Sequence, residues 1–214
     1  MQIAIALYEH FTALDAIGPY DTLGNLPGAE TVLVAAQAGP VLNDRGELSL
    51  VATKSFDEVT RPDIVVVPGG PVRASQLENK PLHDWLRAVD PTTTWTTSVC
   101  TGSLALAAAG LLAGRRATSH WLALETLAGL GVEATEERVV LDGKYVTAAG
   151  VSSGIDMGLT LAERIGGEFA AQSIQLMVEY DPQPPFDAGS PAKAPADLVA
   201  YWRANAKEQA DMGN

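Results

Sequence analysis

One residue in this chain carries an obvious chemical potential. Cys100 stands between a β-branched run, Thr94-Trp95-Thr96-Thr97-Ser98-Val99, and a run of small and apolar residues from Ser103 to Leu112. Strand, then Ser98-Val99-Cys100-Thr101-Gly102, then helix is the layout of a nucleophile elbow. There a tight turn holds the nucleophile in a strained conformation, and small residues two before and two after it let strand and helix approach. Ser98 and Gly102 meet that need. A helix N-terminus also offers unpaired N–H groups and a dipole that favour a thiolate. The competing reading is an inert buried cysteine that packs as a small hydrophobe. The flanking pattern favours the reactive thiol.

A thiolate that adds to an electrophile creates negative charge and needs fixed donors. The backbone N–H of Thr101, next after the thiol, is one candidate. The N–H of Gly70, in Pro68-Gly69-Gly70, is another, though that glycine pair could equally do no more than turn the chain. Asp15 lies among apolar residues in Ala13-Leu14-Asp15-Ala16-Ile17-Gly18-Pro19. There a carboxyl would have a raised pKa and could serve as a general acid, or it could simply cap a helix. Of the three histidines, His120 sits in an apolar-rich stretch, as a structural residue or as a partner for the thiol. His10 and His83 lie in polar surroundings and are expected at the surface.

The elements that would position these groups alternate between strand and helix, the pattern of an α/β fold with a mainly parallel sheet. Ile3 to Leu7, Thr31 to Ala36 and Asp63 to Val67 read as strands, the first and last as apolar runs covered on both faces. Helices are expected over Leu14 to Leu23, Pro81 to Val89 and Ser103 to Leu112. An edge hairpin is expected around Asn43-Asp44-Arg45-Gly46, and a second around Asp142-Gly143. Ser153-Gly154-Ile155-Asp156 has the form of a capping box opening a helix. The following helix carries Ala170, Ile174, Met177 and Val178 on one face. Cys100 would then lie just beyond the carboxyl end of a central strand, where open parallel sheets bind ligands.

Composition excludes several classes. The 214 residues suit one domain over 1–214, with a peripheral helix and tail over 196–214, and no repeat or linker divides them. Acidic residues outnumber basic ones 26 to 14, a net charge of −12, which argues against nucleic acid or an anionic membrane as a partner. A single cysteine makes no internal disulfide, and with three histidines there is no ligand set for a metal. The N-terminus has no signal-peptide pattern. The uncharged stretch from Pro91 to Gly114 has its continuous apolar part only from Leu104 to Ala113, too short to span a bilayer. A cytoplasmic protein is expected.

Several segments together resemble a known family. They are Val65-Val66-Val67-Pro68-Gly69-Gly70, Thr97-Ser98-Val99-Cys100-Thr101-Gly102-Ser103, Ala109-Gly110-Leu111-Leu112 and Arg116-Ala117-Thr118-Ser119-His120-Trp121. They are similar to the PfpI-like branch of the class I glutamine amidotransferase-like superfamily. Leu14-Asp15-Ala16-Ile17-Gly18-Pro19-Tyr20-Asp21 and Pro184-Pro185-Phe186-Asp187-Ala188-Gly189-Ser190-Pro191 narrow the resemblance to its isocyanide hydratases. It runs from the first strand to about Pro195.

The resemblance implies a flavodoxin-like three-layer α/β sandwich, a homodimer, and no metal or organic cofactor. It implies that Cys100 attacks the terminal carbon of an isocyanide and that Asp15 is the general acid/base. The N–H groups of Thr101 and Gly70 would steady the adduct, which water hydrolyses to an N-formamide. Thr101 stands where proteases of the superfamily carry a histidine, so peptidase activity is not expected. Asp15 takes the region where deglycase-like relatives carry a glutamate, which disfavours glyoxalase or deglycase chemistry. A non-catalytic redox or ligand sensor built on Cys100 is the alternative from a different class. No DNA-binding module is expected.

Overall fold

The computed structural model describes residues 1–72 and 74–212. The last two residues of the expected tail therefore lie outside the described residues. Two compact units are distinguished, Met1–Val178 and Glu179–Asn214.

The first unit opens with β1 (Gln2–Ala6), α1 (Ala13–Leu23) and β2 (Glu30–Ala35). The short strands β3 (Gly39–Leu42) and β4 (Ser49–Ala52) form a separate antiparallel pair, the hairpin expected around Asn43. Next come β5 (Lys54–Ser55), β6 (Ile64–Val67), α2 (Ala74–Leu77), α3 (Lys80–Val89) and β7 (Trp95–Val99). The chain continues through α4 (Gly102–Ala108), β8 (Arg116–Ala117), α5 (Leu124–Gly129) and β9 (Glu133–Ala134). It then forms the hairpin β10 (Val139–Asp142) and β11 (Tyr145–Ala148), followed by α6 (Ser153–Gly166) and α7 (Glu168–Met177). The second unit contains α8 (Ala196–Met212). Among the described residues no helix is long and apolar enough to cross a membrane.

The main sheet has seven strands in the order β10-β11-β7-β6-β1-β2-β5, parallel except at the β10–β11 edge. Its central five strands, taken by rank along the chain, run 2-1-3-4-5. That is the flavodoxin-like doubly wound order, with its switch point beside β1. Strand alternation explains the layers, because successive side chains point to opposite faces. Ile3, Ile5, Leu7, Ile64 and Val66 bury against one face with Ala16, Leu23, Met157 and Leu161 of α1 and α6. Ala4, Ala6, Val65 and Val67 bury against the other with Leu82 and Leu86 of α3 and Leu104 of α4. The expected three-layer sandwich is what forms.

Three local expectations are corrected. The helix after Cys100 ends at Ala108, and Gly110 beyond it has a positive φ of 83°. The N-cap of α6 is Ser152 without a side-chain cap bond, and Asp156 binds Arg138 instead of closing a capping box. On α7 only Ile174 is buried, while Met177 is largely exposed.

Candidate active site

The doubly wound order makes the carboxyl edge of β1, β6 and β7 the place where loops of opposite sense diverge. Those three strands deliver Asp15, the Gly69–Gly70 pair and Cys100 to that edge. Cys100 follows β7 at once and adopts φ 58°, left-handed backbone that costs a non-glycine residue about 1–2 kcal/mol. The surroundings hold it there. Its N–H donates to the carbonyls of Ala148 and Ala149 at 3.0 and 2.9 Å. Its carbonyl accepts from the hydroxyls of Ser103 and Ser119 at 3.2 and 3.1 Å. Gly102 has no room for a side chain, since a Cβ there would stand 2.1 Å from the Val67 carbonyl oxygen. The elbow read from the sequence is thus built by a strained residue, a glycine contact and four hydrogen bonds.

Asp15 does not cap its helix. Thr12 is the N-cap of α1, and Asp15 lies in the first turn with 0% exposure. Its Oδ2 accepts from the Gly69 N–H at 2.9 Å, while its Oδ1 makes no hydrogen bond and the carboxyl faces the Cys100 thiol. Burial raises the Asp15 pKa to about 7, against the lowering pull of the Gly69 N–H and of the thiol. A side chain on Gly69 is impossible for the same reason of proximity: its Cβ would stand 2.5 Å from the Thr101 nitrogen and 2.9 Å from Asp15 Oδ2.

The thiol itself departs from expectation. Cys100 is 5% exposed, and burial pushes its pKa up to about 12, with the neighbouring Asp15 charge acting in the same direction. The N–H groups of Val151 and Thr101 pull the other way but do not prevail. A buried sulfur loses more solvation on ionising than one short helix end returns. Burial thus favours the thiol form of Cys100 beside the Asp15 carboxyl over the thiolate expected at a helix N-terminus.

Thr101 lies where the sequence placed it, but the glycine donor does not. The Gly70 N–H donates to Thr101 Oγ1 at 2.8 Å, and that hydroxyl returns a bond to the Gly70 carbonyl at 2.6 Å. Gly70 is thus engaged with Thr101 instead of facing the reacting atom. The donors that do face the sulfur are the backbone N–H groups of Thr101 and Val151. Val151 was missed. It follows β11 with a positive φ of 32°, and its only signal was its place after the last parallel strand.

The histidines are placed differently. His120 is partly buried, its Nδ1 accepts from the Leu122 N–H at 3.3 Å, and burial lowers its pKa; it caps a turn. His10 is exposed, as expected. His83 is buried, 6% exposed, against expectation, because it lies on the inner face of α3 with Leu82 and Leu86. Tyr8 and Gln76 were also missed. Tyr8 donates to the Pro68 carbonyl at 2.8 Å, and its ionisation is disfavoured by burial and by Asp15. Among the described residues, no three His, Cys, Asp or Glu side chains form a group able to hold a metal ion. The arrangement sets a buried carboxyl able to exchange a proton near neutrality beside a buried thiol.

Comparison with known proteins identifies relatives over most of the chain. The chain is 42% identical over 206 residues to an isonitrile hydratase of Pseudomonas putida, covering 96% of this chain and 90% of that one. It is 36% identical over 147 residues to an HTH-type transcriptional regulator of Pseudomonas aeruginosa, covering 65% of this chain and 42% of the regulator. A crystal structure of a ThiJ/PfpI family protein from Pseudomonas syringae superposes with a TM-score of 0.91 at 39% identity, over 97% of this chain and 86% of that one. The model of the DJ-1/PfpI family matches residues 1–164. With that match spanning most of its length, the chain belongs to the DJ-1/PfpI family.

Proposed function

We propose that this protein hydrates isocyanides to N-formamides, with Cys100 as nucleophile and Asp15 as the group that moves its protons. The observation that carries the reading is the buried Asp15 carboxyl, near neutrality in pKa and facing a thiol whose ionisation burial disfavours. The similarity to an isonitrile hydratase over 96% of the chain supports the substrate class.

The chemistry follows from these groups. The Asp15 carboxylate takes the Sγ proton as sulfur bonds to the terminal isocyanide carbon. Protonated Asp15 then gives that proton to the same carbon, leaving a thioimidate on Cys100. Water adds to the thioimidate carbon, with one of its protons passed to nitrogen. The C–S bond then breaks, the remaining hydroxyl proton returns to sulfur by way of Asp15, and the N-formamide departs. The N–H groups of Thr101 and Val151 steady the sulfur whenever it carries charge. One water is consumed and both side chains return to their resting forms.

A redox sensor would need an accessible thiol of low pKa. Cys100 has the opposite character, which favours the hydratase. The test is to incubate the protein with a panel of alkyl and aryl isocyanides, and with methylglyoxal for comparison. The expected result is N-formamide from at least one isocyanide with wild type and none with Cys100→Ala. Equal turnover by the variant, or consumption of methylglyoxal alone, would overturn it.

A further inference from the structure

Thr101 presents its N–H to the nucleophile, so whatever fixes Thr101 fixes a donor of the site. Gln76 is the side chain that does so from outside the elbow. It is 3% exposed and belongs to α2. Its Nε2 donates at 3.0 Å to the Tyr8 hydroxyl, and lies 3.1 Å from the Thr101 carbonyl and 3.3 Å from Thr101 Oγ1. Tyr8 is in turn tied to Pro68, ahead of the Gly69 that holds Asp15. One amide therefore reaches both halves of the pair, the thiol side through Thr101 and the carboxyl side through Tyr8. The Gln76 backbone lies against the imidazole of His83 on α3, whose Nε2 has no hydrogen-bond partner among the described residues. Gln76 Oε1 is likewise buried without a partner among the described residues.

We infer that Gln76 is a positioning residue, which clamps Thr101 and Tyr8 so that the Thr101 N–H and the Asp15 carboxyl converge on Cys100. The inference rests on the reading of Cys100 as the nucleophile. Losing the clamp lets the Thr101 peptide turn, weakens its bond to the developing thiolate and slows attack without altering how substrate is bound.

The test is the rate of Cys100 alkylation by iodoacetamide between pH 6 and pH 10, alongside kcat and KM for an isocyanide. Wild type is compared with Gln76→Met, which keeps the volume and removes the donor. The expected result is alkylation about three- to tenfold slower at neutral pH, with the profile displaced to higher pH. Turnover should show kcat reduced by a similar factor and KM within about twofold. If Gln76→Met does not fold, Gln76→Asn carries the same expectation, since its shorter side chain cannot span to Thr101. An alkylation profile equal to wild type in the folded variant would overturn the inference. The alkylation readout decides the role of Gln76 even if no isocyanide is turned over, so failure of the substrate assignment is seen separately.

Discussion

Asp15 and Cys100 each occupy an environment unfavourable to their own charge, and each makes the other's protonation state matter. The carboxyl has a pKa near 7 and the thiol near 12, both raised first by burial. In the proposed mechanism the reactive form is the Asp15 carboxylate beside the intact thiol. The pH profile of kcat/KM should rise with a midpoint near 7 as Asp15 loses its proton, and a flat profile from pH 5 to pH 9 would contradict that assignment. The same shift bears on stability. Unfolded Asp15 ionises near 3.8, whereas in the fold it keeps its proton up to about 7. Between those values the native state binds the extra proton, so stability falls as pH rises through this window. Asp15→Asn keeps an acceptor for the Gly69 N–H and removes the titration. It should abolish turnover and yet raise stability by roughly 4 kcal/mol at pH 8, with little change at pH 4, as measured by urea unfolding.

At the scale of elements, the site depends on how closely β6, β7 and α4 approach one another. The Gly102 backbone lies against the Val67 carbonyl, so Gly102→Ala forces the elbow away from the end of β6. A loss of about 3 kcal/mol or more is expected, with turnover lost in parallel, read from thermal unfolding and formamide assay. Much of this was legible in the sequence. The apolar run before Pro68-Gly69-Gly70 and the β-branched run before Cys100 read as strands of a mainly parallel sheet, and the two pair in parallel so that their carboxyl ends share one edge. What escaped were contacts that no local pattern encodes. Gln76 reaches Tyr8 and Thr101 across 68 and 25 residues, and Val151 turns its N–H to the thiol only because β11 pairs with β7. The thiolate expectation failed for a related reason. Local sequence reveals a helix N-terminus, but burial is a property of the assembled layers.

Across the molecule, chemistry and reinforcement occupy opposite ends of the sheet. Near the amino ends of β7 and β11, buried Asp90 accepts from Thr96 Oγ1 at 2.7 Å and from the Tyr145 hydroxyl at 2.9 Å, and pairs with Lys144 at 3.1 Å. Tyr145→Phe should lower stability by about 1–2 kcal/mol and leave kcat/KM within twofold of wild type. A large loss of turnover in that variant would mean that the two ends are coupled. In the proposed mechanism the isocyanide carbon is held on Cys100 between addition and hydrolysis. The most direct test is acid quenching of a single turnover with an isocyanide labelled at its terminal carbon, followed by peptide mass mapping. The mechanism predicts a mass increase equal to the whole isocyanide on the peptide containing Cys100, absent in Cys100→Ala, which forms no labelled N-formamide. Labelled N-formamide from Cys100→Ala at the wild-type rate would contradict it.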